Sequence, residues 1–139
     1  MITNETKENT CFRESLPVRL SFREAFRRAA DQVGLREYAE DGEEEYLREL
    51  CYIIAEVYLM DPNGAVRIGK EELGAYLVQE VFAELTVDHL RLVWTSFCEQ
   101  TVLIRNKRAY LRTALYNSVF EFSASYANKV SHDMKGDRA

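Results

Sequence analysis

Residues 100–117 read QTVLIRNKRAYLRTALYN, a stretch that combines an apolar helical stripe with a cluster of basic side chains. The stripe is formed by Ile104, Leu111, Ala114 and Leu115. The cluster consists of Arg105, Lys107, Arg108 and Arg112. No acidic residue occurs between positions 100 and 120, although the formal net charge of the chain is −5. The pattern predicts a helix that packs its aliphatic side inward, and its positive side is either an ordinary solvated face or a binding surface.

Length and composition predict one helical domain. A chain of 139 residues is long enough to bury a core of its own, and 47% hydrophobic content is that of an ordinary globular protein. Only two prolines and six glycines favour helices over a turn-rich β architecture. We predict a mobile tail over residues 1–15, a single domain over 16–135 and a loose C-terminus over 136–139. The acidic pI of 5.2 argues against nucleic-acid binding over the whole surface.

The N-terminus and the cysteines indicate a cytoplasmic protein. No apolar run reaches the length of a signal peptide core or a membrane span, so we expect no membrane partner. The cysteines Cys11, Cys51 and Cys98 are odd in number and far apart, without the spacing of a metal site. Because Cys51 and Cys98 fall on apolar stripes, we expect buried, reduced thiols.

Local signals divide the chain into elements. Ser21 followed by Glu24 is typical of a capping box at a helix start, and Gly34 is suited to end that helix. Further helices are predicted over about 43–58, 71–83, 86–98 and 100–117, with a break at Asn117 and Ser118 before a last helix that ends near 134. Residues 65–68 are the one extended piece. The prediction is a compact all-α bundle of about six helices, with at most one very short extended segment near residues 65–68.

No catalytic or cofactor-binding pattern is found in the sequence. Gly69-Lys70 lacks the upstream glycine and the following Ser or Thr of a phosphate-binding loop. The carboxylates between residues 37 and 49 are typical of a helix start. His89 has no nearby partner in sequence and is predicted to face solvent or cap a helix, whereas Trp94 lies within an apolar stripe and is predicted to pack in the core. We therefore predict a non-enzymatic binding module that needs no cofactor and no metal.

Several segments resemble one family in order and spacing. The most specific are IRN-x-x-AYL-x-x-ALYN at residues 104–117 and VSHDM at residues 130–134, preceded by VRIG at 66–69 and LT-x-DHL at 85–90. Over roughly residues 45–135, with the first helix included, the chain is similar to the C-terminal domain of replication initiator A proteins from plasmids and conjugative elements of Gram-positive bacteria.

The resemblance implies a helical module like that of DnaD-type primosomal proteins, which engages host replication machinery such as the primase or a helicase-loading component. No winged-helix sequence precedes the match, so origin recognition is not expected of this chain. In the DnaD-type motif Tyr, Ile and Trp follow at four-residue steps. Here Tyr110, Ala114 and Ser118 stand at those steps, which weakens the expectation of single-stranded DNA binding through that motif.

The candidate binding residues come from the basic stretch. If residues 104–117 are helical, the guanidinium groups of Arg105, Arg108 and Arg112 form one stripe, which suits phosphates or an acidic surface. The full predicted set is Arg105, Lys107, Arg108, Tyr110, Arg112, Tyr116 and Asn117. Recruitment of a replication protein is the favoured hypothesis. The alternatives are weak binding of single-stranded DNA, and oligomerisation of a larger initiator protein.

Overall fold

The computed structural model describes residues 20–138, with side chains described for residues 20–122, so the predicted tail over 1–15 lies outside it. The elements are, in chain order, α1 Phe22–Val33, α2 Leu35–Tyr38, α3 Glu44–Tyr58, β1 Ala65–Ile68, β2 Glu71–Gly74, α4 Ala75–Phe82, α5 Val87–Cys98 and α6 Lys107–Arg138. Within this part of the chain the protein has six helices and one small sheet, which confirms the predicted fold class.

The predicted boundaries of the first helix are confirmed. The backbone N–H of Glu24 donates to Oγ of Ser21 at 3.1 Å, and the N–H of Ser21 donates to the Glu24 carboxylate at 2.9 Å. Gly34 ends α1 with φ of 70°, and a Cβ at this position would lie 2.5 Å from the ring of Tyr38. Any other residue would be strained in that left-handed conformation. Glycine adopts it easily, which lets the chain end α1 and turn directly into α2.

Helix α1 packs along α3. The rings of Phe22 and Tyr52 stack with centroids 5.5 Å apart, and Phe26 lies 4.7 Å from the same tyrosine. At the other end of α1, the side-chain amide of Gln32 donates to the carbonyls of Phe82 and Leu85 at 2.9 Å each. Phe82 is the last residue of α4 and Leu85 lies just beyond it, so one side chain joins the ends of the two helices.

Residues 65–74 form a β-hairpin, which corrects the prediction that 71–74 begin a helix. Strands β1 and β2 pair antiparallel, with Val66 opposite Leu73 and Ile68 opposite Glu71. Gly69, with φ of 63°, allows the tight turn between them. The N–H of Gly69 donates to Oγ1 of Thr113 at 2.9 Å, which attaches the turn to α6. Helix α4 therefore begins only at Ala75.

Helix α6 differs from the prediction at both ends. It begins at Lys107 instead of near residue 100, because the side-chain oxygen of Asn106 accepts the N–H of Ala109 at 3.0 Å and caps the first turn. It then continues through Asn117 and Ser118 to Arg138, so the predicted break is wrong and the expected loose C-terminus is helical up to that residue. Ser118 is buried, and its hydroxyl donates to the carbonyl of Leu115 at 2.7 Å, which satisfies it inside a continuous helix.

The core surrounds α3, whose apolar face is buried against α1, α4, α5 and α6. The large side chains that are fully buried there include Leu47, Leu50, Ile54, Phe82, Leu90, Leu111 and Leu115. Within the described residues, no helix combines the length and the hydrophobicity of a transmembrane segment.

The two described cysteines differ in exposure. Cys51 is buried, and burial raises the pKa of its thiol to about 12, so it is chemically inert in the folded chain. Cys98, at the end of α5, is exposed. The prediction of a buried thiol is therefore confirmed for Cys51 and wrong for Cys98, while Cys11 lies outside the described residues.

Candidate partner-binding surface

The connection between α5 and α6 is an exposed loop over residues 99–106 that displays apolar side chains. Leu103 is 91% exposed and Val102 is 69% exposed, whereas Ile104 is half-buried. Periodicity predicted that this segment is helical, but Asn106 caps the helix only at its end. Burying a leucine side chain gains about 1.5–3 kcal/mol, so the adjacent Val102 and Leu103 form a small exposed apolar pair that would gain free energy if another molecule covered it.

The start of α6 faces inward as its apolar stripe predicted. Leu111 and Leu115 are fully buried, and Ala114 is half-buried against the core. Tyr110 and Tyr116 are also half-buried and pack against the core, with Tyr110 5.8 Å from the ring of Phe97. These two tyrosines are therefore partly committed to packing, and neither ring is a fully open platform for stacking.

Lys107 is held in place by neighbours on two helices. Its ammonium lies 2.8 Å from the carboxylate of Glu49 on α3. It also lies 5.3 Å from the ring centroid of Trp94 and 5.4 Å from that of Phe97 on α5. The carboxylate and the aromatic faces together stabilise the cation, and the pair is half-exposed, so its net contribution to stability is small.

The three arginines occupy different environments and do not form the predicted helical stripe. Arg105 precedes α6, is exposed and has no carboxylate partner among the described residues. Arg108 pairs with Glu56 at 2.6 Å and still has 60% of its side chain exposed. Arg112 is half-buried, and its Nε has no hydrogen-bond partner among the described groups. The side chain of Asn117, the remaining candidate, is exposed.

The surface is therefore less positive than its sequence suggested. Two of the four basic residues, Lys107 and Arg108, meet carboxylates of α3. Arg105 and the outer edge of Arg108 remain available beside the exposed apolar loop. The arrangement is a small apolar centre with a cationic rim.

A polar network that the sequence did not reveal joins α5 to the end of α2 and the start of α3. Arg91 of α5 donates from Nε and Nη2 to the two carboxylate oxygens of Glu43 at 3.0 Å each, and from Nη2 to the carbonyl of Tyr38 at 2.8 Å. The hydroxyl of Tyr46 donates to the same carboxylate at 2.7 Å. Tyr46 in turn stacks on Trp94, with centroids 5.1 Å apart.

Both acids in this network have shifted pKa values. Hydrogen bonds from Arg91, the Glu40 N–H and Tyr46 lower the pKa of Glu43 to about 2. Burial, together with the hydrogen bond to Glu43, raises the pKa of Tyr46 to about 12. The shift of Glu43 follows chiefly from its bidentate ion pair with Arg91, whereas that of Tyr46 follows chiefly from burial, and neither group titrates near neutral pH. Arg91 and Glu43 lie 48 residues apart, and no local pattern signals their contact.

His89 has a structural role. Its Nδ1 accepts the backbone N–H of Thr86 at 3.0 Å, which confirms the predicted capping role, while its side chain is buried and not solvent-facing. Its ring lies 4.7 Å from Phe122, and burial lowers its pKa, so the neutral form is favoured. Within the described residues, no group of His, Cys, Asp or Glu side chains is placed to hold a metal ion.

Comparison with known proteins gives a family without an assigned activity. Residues 21–137 match the model of DUF6017, described as a family of unknown function. The chain belongs to this family. No curated protein and no solved structure matches the chain. The DUF6017 match spans α1 to α6 and includes the whole of the exposed loop and its cationic rim. It assigns no activity, so the resemblance to replication initiators stays a prediction.

Proposed function

We propose that this chain is a non-enzymatic accessory domain of a plasmid or mobile-element replication initiator, and that it binds a protein of the replication machinery. The partner class is a primase or a helicase-loading component. The resemblance of residues 104–117 and 130–134 supports the replication context. The observation that carries the binding role is the 91% exposure of Leu103 in the loop between α5 and α6.

The loop has the layout of a small protein-binding surface. Protein interfaces commonly place a few apolar anchors at the centre and polar or charged groups around them. Here Leu103 and Val102 supply the centre, and Arg105 and Arg108 supply the rim. An acidic patch on the partner would steer the encounter and fix its orientation, while the leucine supplies most of the affinity by entering a pocket.

The first prediction concerns this anchor. We expect Leu103→Asp to weaken binding to the purified host primase or helicase loader by at least about tenfold, since it places a charge where the partner offers an apolar pocket. Biolayer interferometry with the immobilised chain measures the dissociation constant. Because Leu103 packs against almost nothing, the variant should keep the wild-type thermal unfolding midpoint.

Tyr76→Asp is the matched control. Tyr76 is also an exposed apolar side chain, at 61%, but it lies at the start of α4. It should leave the affinity unchanged. If neither replication protein binds the wild-type chain, or if Leu103→Asp binds as tightly as wild type, the proposed function at this loop is wrong.

The second prediction separates a protein partner from single-stranded DNA. Because Lys107 and Arg108 already pair with Glu49 and Glu56, the surface can engage few phosphates. We expect a labelled oligo-dT to bind no more tightly than millimolar at low salt, by fluorescence anisotropy. Micromolar binding that falls steeply with added salt, and that Arg105→Glu abolishes, would establish the DNA-binding alternative instead.

A further inference from the structure

A second surface feature lies on α1, α2 and the first half of α3, away from the loop over residues 99–106. It is an open pocket of about 960 Å³, which is large enough for several side chains of a bound segment. Its apolar lining is formed by Phe26, Ala30, Leu35 and Ala39. We call it the arginine pocket after its rim, which is formed by Arg23, Arg27, Arg36 and Arg48.

The rim arginines lack the carboxylate partners that the basic residues of α6 have. All four are exposed, and none forms an ion pair with a described side chain. The guanidinium of Arg48 lies over the ring of Phe26, 5.1 Å from its centroid. Arg23 and Arg27 lie beside Phe26 on the same helix. Arg23, Arg27 and Arg48 therefore line the same pocket as Phe26.

The lining of the pocket also includes three carboxylates. Asp31 and Glu37 lie three residues before and after Gly34, and Glu44 begins α3. The pocket is therefore not uniformly positive, with four arginines and three carboxylates in its lining. A nucleic-acid strand has a negative charge at every nucleotide and would meet these carboxylates, whereas a peptide can place acidic residues beside the arginines and uncharged residues beside the carboxylates.

We propose that the arginine pocket binds an acidic peptide segment of a partner protein, with a large apolar side chain seated against Phe26 and Leu35. The carboxylates of the segment pair with Arg23, Arg27 and Arg48, because a planar guanidinium can donate two parallel hydrogen bonds to one carboxylate. The stacked pair of Phe22 and Tyr52, 43% and 37% exposed, continues the apolar surface beside Phe26. This site is independent of the proposed function, which uses the loop between α5 and α6.

The probe is a short fluorescein-labelled peptide of Asp and Glu residues around a central Leu-Phe pair. We expect it to bind the full chain in fluorescence anisotropy, and the double variant Arg23→Glu, Arg27→Glu to weaken it by at least about tenfold. The same peptide with Gly-Gly in place of Leu-Phe should lose a similar factor, because it leaves the apolar lining uncovered. Arg48→Gln is a second test if the double variant does not fold, as judged by circular dichroism.

Arg28→Glu is the matched control. It makes one such replacement on the same helix, half the charge change of the double variant, but its guanidinium lies over Tyr58, 5.3 Å from the ring centroid, outside the pocket. It should retain wild-type peptide affinity, as should Leu103→Asp. The proposal is overturned if the peptide does not bind, if Arg28→Glu weakens it as much as the double variant does, or if oligo-dT of equal charge displaces it at equal concentration.

Discussion

Leu111→Ala is expected to lower the free energy of unfolding by about 2–5 kcal/mol, the range for deleting a leucine side chain in a packed core. Leu111 is fully buried at the start of α6, where that helix packs on the rest of the core. The loss of stability combines the apolar contacts that are removed with the cost of the cavity that remains. The cavity remains because α6 is held by its neighbours and cannot move far enough to fill it. Urea unfolding followed by circular dichroism measures the difference.

Leu103→Ala provides the comparison within the same segment. The chemical change is identical, but Leu103 is 91% exposed, so the free energy of unfolding should change by no more than about 0.5 kcal/mol. Equal costs for the two variants would contradict the inward orientation of α6 and the exposure of the loop together. Unequal costs would show that the exposed leucine is not needed for folding, which is the premise of the partner-binding proposal.

Glu43→Gln is expected to lower the free energy of unfolding by about 1.5–3 kcal/mol at neutral pH, the range for hydrogen bonds to charged groups. The side chain of Glu43 is only 19% exposed, and its two oxygens accept from Arg91, Tyr46 and the Glu40 N–H. Glutamine keeps the shape but brings an amide N–H₂ toward donors. The charge of Arg91 is then left without its partner.

The same contact predicts a dependence on pH. The pKa of Glu43 is about 2 in the folded chain, below its ordinary value of 4.5, so the unfolded state binds more protons between these two values. The stabilisation by Glu43 is therefore complete above the ordinary value and is lost as pH falls towards the folded value. Urea unfolding of both proteins from neutral pH to about pH 3 should show the wild-type stability approaching that of the variant.

Glu45→Gln is the control for this experiment. Glu45 lies in the same first turn of α3, is exposed and forms no ion pair with a described residue. Its replacement should cost at most about 0.3–1 kcal/mol through the helix macrodipole. A Glu43→Gln effect no larger than this, or a wild-type advantage that stays constant down to pH 3, would show that the network with Arg91 does not stabilise the fold.

The outcomes of the sequence predictions follow from the distance over which each signal acts. Ser21, Glu24 and Gly34 lie within one helix and its ends, and their roles are confirmed. The inward positions of Leu111 and Leu115 follow from helical period and are also confirmed. Residues 71–74 were predicted as helix because they continue the apolar helical pattern of α4. Pairing with β1 through the Gly69 turn makes them a strand instead.

The candidate surface was predictable in part. The sequence indicated that the region around residue 104 is basic and that α6 packs its aliphatic side inward, and both statements describe the folded chain. Helical period placed Arg105 and Leu103 on α6, whereas the cap at Asn106 leaves both in a loop. Without that cap contact the pattern offered no reason to end the helix there, so the exposure of Leu103 was not foreseen.

The sequence by itself determined the helical class, the cap of α1, the buried face of α6 and the excess of basic residues around its start, because each depends on neighbours within a few turns. Only the tertiary structure decided which charges are available. Arg91 meets Glu43 across 48 residues and Arg108 meets Glu56 across 52, while the arginines of α1 meet no described carboxylate. Charge pairing depends on which helices pack together, and no local spacing specifies that.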